Sequence, residues 1–275
     1  KSNGDSYTDG KSVVISSKLD DKLFDSTVGL ALHEGSHIKL SDFDFLKGLE
    51  HHIPQEYINR AEVFGWDKYE VMSKVKDLLN YVEDRRIDYF VFTNSPGYKG
   101  YYHSLYDKYF HSKVIDKALK SSEYTSKDWD SYIFRIINLT NKNSDLSALS
   151  GLGEIRKLIF SNVKNLNSTE EAFQVALLVL DVILNNLDVN VENPQEDENE
   201  DGESQEISVD GGDGDGNEDG SDDGGSSSDR PELTDNQKKQ LQNAINKQKK
   251  FMDGDISKKG LSKKDKASMD AVESA

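Results

Sequence analysis

The chain has no cysteine among its 275 residues. Disulfides, thiolate zinc sites and cysteine nucleophiles are therefore excluded. It also lacks an apolar run of the roughly 18 residues that a membrane span requires. No charged and then apolar leader follows Lys1, which favours the cytoplasm as its location. Neither a glycine-rich nucleotide loop nor an internal repeat is visible. A basic stripe on the apolar-rich part of the chain is missing too, so nucleic-acid binding is not expected. The absent initial methionine and the ending Glu273-Ser274-Ala275 suggest a fragment or a processed chain.

With 35% hydrophobic and 31% charged residues, part of the chain cannot contribute to a core. The charge shows which part. The net charge of −17 divides into −4 over residues 1–187, −17 over 188–232 and +4 over 233–275. The middle stretch, rich in Asp, Glu, Gly and Ser, cannot bury enough apolar surface to offset chain entropy and reads as a disordered acidic linker. Asp215, Asn217, Asp219 and Gly220 resemble the start of a calcium loop. Ser226 stands where the bidentate glutamate belongs, so only weak divalent-ion association is expected there. Three regions follow: a folded domain over 1–187, the linker over 188–232, and a helical C-terminal segment over 233–275 that could begin a truncated domain.

The folded part is organised around Leu32-His33-Glu34-Gly35-Ser36-His37. His33 and His37 are four apart, just over one helical turn, so both imidazoles leave the same helix face and can reach one metal ion. Glu34 projects ~100° round the helix, close enough to hold a water on that metal. Val28, Leu30, Ala31, Leu32 and Ile38 surround the motif with apolar residues. A helix buried on most sides does not carry two histidines and a glutamate without partners, because an unpaired buried charge is expensive.

Val13-Val14-Ile15 reads as a short strand before this helix, which Asp25, Ser26 or Thr27 would cap and which runs to about Leu40. Residues 43–65 are looser, with one short helix, and the adjacent His51 and His52 read as surface residues. From Asp67 to about Thr93 the periodicity is helical again, and it carries the polar cluster Asn80-Tyr81-Val82-Glu83-Asp84-Arg85-Arg86-Ile87-Asp88. A solvated face of i,i+4 ion pairs is one reading. Leu79, Val82 and Ile87 are interleaved so closely that several charges must instead face protein. On that reading Glu83 is the third metal ligand and Asp84 or Asp88 orients a histidine through its free ring nitrogen, with Asn80 sharing the face of Glu83. After the turn Asn94-Ser95-Pro96-Gly97, the run Tyr98 to His103 offers Tyr98, Tyr101, Tyr102 and His103 as oxyanion donors; His111 packs or faces solvent. Further helices are expected over about 104–120, 127–141 and 152–164. One more, capped by Ser168, runs to Leu187 and is apolar almost all round. A Lys/Gln-rich amphipathic helix is expected over 233–252. The fold class is mainly α, with a short edge strand or small sheet before the histidine-bearing helix.

The segments ALHEGSHIKLSDF, NYVEDRRID and PGYKGYY together resemble zinc metallopeptidases that carry a C-terminal von Willebrand factor A domain. Those proteins are related to T-subunit-like cobalt chelatase components and occur in bacteria and large phages, often beside a MoxR-type ATPase. The resemblance covers residues 13–110 by motif and the acidic linker by composition. It implies a zincin-like, gluzincin-type peptidase domain with Zn²⁺ held by His33, His37 and Glu83, and with Glu34 as base. It also implies a protein or peptide substrate, and an ATPase or virion components as partners. The A domain's own D-x-S-x-S metal motif is absent from the chain. A rival reading is an assembly or adaptor protein whose zinc site is structural, which the large helical body and the long acidic linker would suit.

Overall fold

The computed structural model describes residues 7–8, 13–14, 23–189 and 230–252. The acidic stretch therefore lies outside the described residues apart from its two ends, and so do Ile15 and residues 253–275. What is described is mainly helical. Tyr7–Thr8 (β1) pairs antiparallel with Val13–Val14 (β2), Tyr7 opposite Val14 and Thr8 opposite Val13, and this short ladder lies beside the first helix. Ten α-helices follow: α1 Phe24–Leu40, α2 Phe43–Lys47, α3 Gln55–Ala61, α4 Lys68–Asn94, α5 Lys99–Phe110, α6 Lys113–Lys120, α7 Trp129–Ile137, α8 Leu152–Asn162, α9 Thr169–Leu184 and α10 Asp235–Met252.

Two helix starts differ from expectation. Helix α1 begins ahead of its expected caps: Ser26 and Thr27 lie inside its first turn, and their hydroxyls donate back to the Leu23 carbonyl. The single helix expected over 104–120 is two helices. Ser112 leaves the helical conformation and its side chain accepts from the Ile115 N–H, capping α6 and breaking the run. A hydroxyl that satisfies one of the free amides of a first turn is a common helix start.

Helix α4 is the axis of the body. It opens on a reciprocal cap, Asp67 accepting from the Glu70 N–H and Glu70 from the Asp67 N–H. Val75, Leu79, Val82 and Ile87 are buried outright, and every residue from Tyr81 to Asp88 is buried. An eight-residue run cannot be buried on one face of a helix alone. The charged members of the run are therefore enclosed because helices cover α4 from several sides: α1, α9 and α10 all pack on it. Helix α9 is the apolar core helix anticipated for this region, capped by Ser168 and buried along most of its length, with Leu178 exposed.

Helix α1 lies against α5 as well as α4. Gly29 sets how close it comes. A Cβ built on Gly29 would stand 2.3 Å from the Tyr101 carbonyl oxygen and 2.8 Å from its carbon, both backbone atoms that cannot rotate away. Gly29→Ala is expected to force α1 and α5 apart and to destabilise the fold by roughly 1–3 kcal/mol, as overpacking does, despite the better helix propensity of alanine. Thermal unfolding of the variant reads this directly.

Helix α10 joins the same compact unit as residues 1–189. It packs on α4, α5 and α6 with Leu241, Ile245, Gln248, Phe251 and Met252 buried, while the rest of its surface is largely Lys, Gln and Asn. Each buried aliphatic or aromatic anchor contributes about 1.5–3 kcal/mol. Gln248 and Asn138 of the α7 C-terminus exchange two amide hydrogen bonds in a fully buried pair, at 2.9 and 3.2 Å. The lysines that carry the segment's positive charge reach acidic residues of the body, Lys238 to Glu123 and Lys249 to Asp130.

Candidate metal centre

Helix α1 delivers His33 and His37 on one face, and α4 delivers Asp84 opposite them. The His37 Nε2 lies 3.1 Å from Asp84 Oδ1 and 3.2 Å from His33 Nε2, and His33 Nε2 lies 3.5 Å from Asp84 Oδ1. Two imidazole nitrogens and one carboxylate oxygen thus form a compact triangle able to hold a metal ion. His33 and Asp84 are buried and His37 is half-buried. Two uncharged nitrogens and one oxygen are a donor set that zinc accepts.

The other ring nitrogen of each histidine has a polar group facing it. His37 Nδ1 lies 3.0 Å from Ser41 Oγ, and Ser41 Oγ donates to Glu83 Oε1 at 2.8 Å. Because the serine hydrogen goes to the carboxylate, Ser41 accepts from Nδ1–H, which leaves the His37 Nε2 lone pair for a metal. His33 Nδ1 faces Asp88 Oδ1 at 3.6 Å. Asp88 is held in turn on its other oxygen by the Tyr106 hydroxyl and by Arg85 Nη2. Three buried polar atoms of the centre have no hydrogen-bond partner: His33 Nδ1, Asp84 Oδ2 and Asp88 Oδ1. Buried polar atoms are almost always paired; the free Asp84 Oδ2 belongs to the triangle's own carboxylate, whereas His33 Nδ1 and Asp88 Oδ1 face each other on the other side of the imidazole.

Electrostatics support the same fit. Burial opposes charge on His33, yet the carboxylates of Asp84 and Asp88 outweigh it and raise the imidazole pKa to about 10. Burial likewise opposes ionisation of Asp84, and the two imidazoles overcome it, holding that carboxyl below the usual carboxylate range. The centre therefore calls for positive charge, which a proton on His33 or a metal ion supplies. Glu34, next to His33 and buried, is pushed up by that burial, against the pull of His33 and His37.

Comparison of the chain with protein-family models, curated proteins and solved structures finds no match. The roles of the site residues rest on geometry, and geometry revises the expected third ligand. Glu83 does not face the triangle. Arg86 grips it through Nε at 2.8 Å and Nη2 at 2.6 Å, and the Thr169 hydroxyl adds a third donor at 2.8 Å beside Ser41. A carboxylate with four donors on it has little left for a metal. Asp84, expected to orient a histidine, instead supplies the oxygen of the triangle, and Glu83 orients His37 through Ser41. Asp88, the other residue expected to orient a histidine, lies 3.6 Å from His33 Nδ1. Asn80 stays half-buried one turn before Asp84, outside these contacts.

The aromatic candidates also separate. Tyr102 is wholly buried with its ring 6.2 Å from that of His33, and its hydroxyl has no hydrogen-bond partner. Burial raises its phenol pKa well above the ordinary value. Tyr98 is 45% exposed, and His103 is exposed with its ring edge toward Phe92. Neither is brought to the triangle. His51 is exposed, His52 stacks on Phe45, and His111 pairs with Asp107. Two contributors could not be foreseen from the sequence: Ser41 and Thr169, small hydroxyls whose only signal was a position at a helix end.

Proposed function

We propose that this chain is a zinc-dependent peptidase of the zincin kind, its metal held by His33, His37 and Asp84. The observation that carries the reading is the convergence of those three ligand atoms, 3.1–3.5 Å apart, beside Glu34 on the same helix. Zn²⁺ bound there would supply Lewis acidity toward a water molecule and toward the substrate carbonyl. Glu34 takes a proton from the attacking water and gives it to the leaving amine, the acid–base work for which a carboxylate beside such a metal is placed. Asp88 and the Ser41–Glu83 pair hold the two imidazoles in the tautomer and orientation that ligation needs. Tyr102, buried with its ring 6.2 Å from that of His33, is the candidate donor to the oxyanion. The β1–β2 ladder beside α1 would pair with an extended substrate backbone, as in strand-addition recognition.

A purely structural zinc site would be closed by a fourth side chain. Among the described residues the cluster stops at three, because Asp88 faces the Nδ1 side of His33.

Glu34→Gln separates catalysis from binding. The variant is expected to keep one zinc per chain by elemental analysis and to lose about 10²- to 10⁴-fold in hydrolysis of an unstructured protein substrate, the range that general acid–base catalysis contributes. Undiminished hydrolysis would remove Glu34 from the mechanism. A wild-type protein that holds no zinc would remove the metal.

A further inference from the structure

The metal triangle is not covered by α1, α4 and α5 alone. Phe251, in the last turn of α10, lies against the His33 ring with centroids 5.1 Å apart and planes tilted by 31°. The same phenyl packs on Tyr106, Tyr109 and Phe110 of α5. Phe251 is 2% exposed, and so is His33 beneath it. Without α10, one face of a ligand histidine and an aromatic floor beside it would be open to solvent.

The way α10 is held sets it apart from the other helices on α4. The described chain reaches it only at Arg230, forty-one positions after Val189. Its anchors fall into two separate groups: Leu241 and Ile245 join a small cluster with Ile115, Leu119 and Phe134, whereas Phe251 and Met252 join the main core. Between them the interface is polar, the buried Asn138–Gln248 pair. Along its seam with α7, two clefts of about 180 and 80 Å³, partly open to solvent, share Ile133, Ile137 and Lys249 as walls. An element held by separated anchors can open at lower free energy than the core.

We propose that α10 is a displaceable cover of the metal centre, docked by Leu241 and Ile245 at one end and closing on His33 with Phe251 at the other. The proposal rests on the metal reading for its purpose: in the docked state α10 restricts access to the centre, and undocking opens it. Residue 241 is ten positions from Phe251, about 15 Å along the helix at 1.5 Å per residue. A change at Leu241 therefore reaches His33 only if the helix moves as a unit.

Amide hydrogen exchange of the full chain, followed by mass spectrometry, tests the first half. Amides of α10 are expected to exchange through a local opening, faster than those of α4 and α9. Carbethoxylation of His33 by diethyl pyrocarbonate in metal-free protein tests the second, with the exposed His51 and His103 as internal standards. Wild type is compared with variants at one alkaline pH, because the reagent takes only the neutral imidazole and Asp84 and Asp88 favour the protonated one. Phe251→Ala and Leu241→Ala should each speed both processes by about tenfold or more, since truncating an anchor shifts a local opening equilibrium by at least that factor. In zinc-loaded protein the same variants should speed extraction of the metal by a chelator in parallel. Exchange of α10 only together with α4 and α9 would overturn the proposal. So would a faster-exchanging α10 in Leu241→Ala with His33 still as protected as in wild type. A wild-type protein without zinc ends the metal reading but leaves the His33 modification experiment readable, so the two failures are told apart.

Discussion

Asp84→Ala is expected to yield a folded protein that no longer retains zinc through a chelator wash. Among the described residues Asp84 supplies the only carboxylate oxygen that closes a triangle with both imidazole nitrogens, at 3.1 and 3.5 Å. Without it two histidines on one helix remain, and a two-ligand site does not compete with a chelator. The expected loss in affinity exceeds the roughly 10- to 100-fold that follows from removing an orienting partner. Elemental analysis of chelator-washed protein measures stoichiometry, and competition with a chromogenic chelator measures affinity. Zinc held one per chain by Asp84→Ala would sink the triangle as drawn.

Glu83→Ala should do something different and nearly as large. Its carboxylate and the Arg86 guanidinium form a buried pair, 3% and 6% exposed, with Arg86 also donating to the Leu40 carbonyl at 2.8 Å. Removing one partner of such a pair leaves an uncompensated charge and costs about 3–5 kcal/mol. It also releases the Thr169 hydroxyl and the Ser41 hydroxyl, so α1, α4 and α9 lose a shared joint. For a chain of this size the melting temperature should fall by roughly 10 °C. Zinc stoichiometry should survive, with affinity weakened by about 10- to 100-fold through the misoriented His37. Comparing the two adjacent variants is therefore decisive. If Glu83→Ala strips the metal and Asp84→Ala merely loosens it, the roles assigned here are reversed.

That comparison also shows where sequence reasoning stopped. The pairing of His33 with His37 is a matter of helical period, which is local. The long α4 and its burial were legible because Leu79, Val82 and Ile87 interleave with the charges. Which of Glu83 and Asp84 meets the histidines was not legible. Neighbours on a helix differ by only ~100° in direction, and the choice is made by Arg86, Ser41 and Thr169, the last of these 86 positions away. The break at Ser112 was missed because the apolar spacing continues across it. Helix α10 was visible as a helix. Its docking was not, since a surface of lysines and glutamines gives no hint that Phe251 ends on a histidine 218 positions earlier. The resemblance implied Glu83 as the third ligand, whereas the triangle is formed with its neighbour Asp84.

Helix α1 is fastened at both ends of the segment that carries the histidines. One turn before His33, Gly29 sits against the Tyr101 backbone; one turn after His37, the Leu40 carbonyl and Ser41 are bound by Arg86 and Glu83. The spacing between the two imidazoles is thus fixed by the packing of the body before any ligand arrives. Metal capture at a centre held in this way would differ in kind from that of small domains that fold around their zinc. Little apolar surface changes its exposure on loading, so the heat capacity of binding should be small. The affinity is then spent on coordination itself and not on ordering the chain.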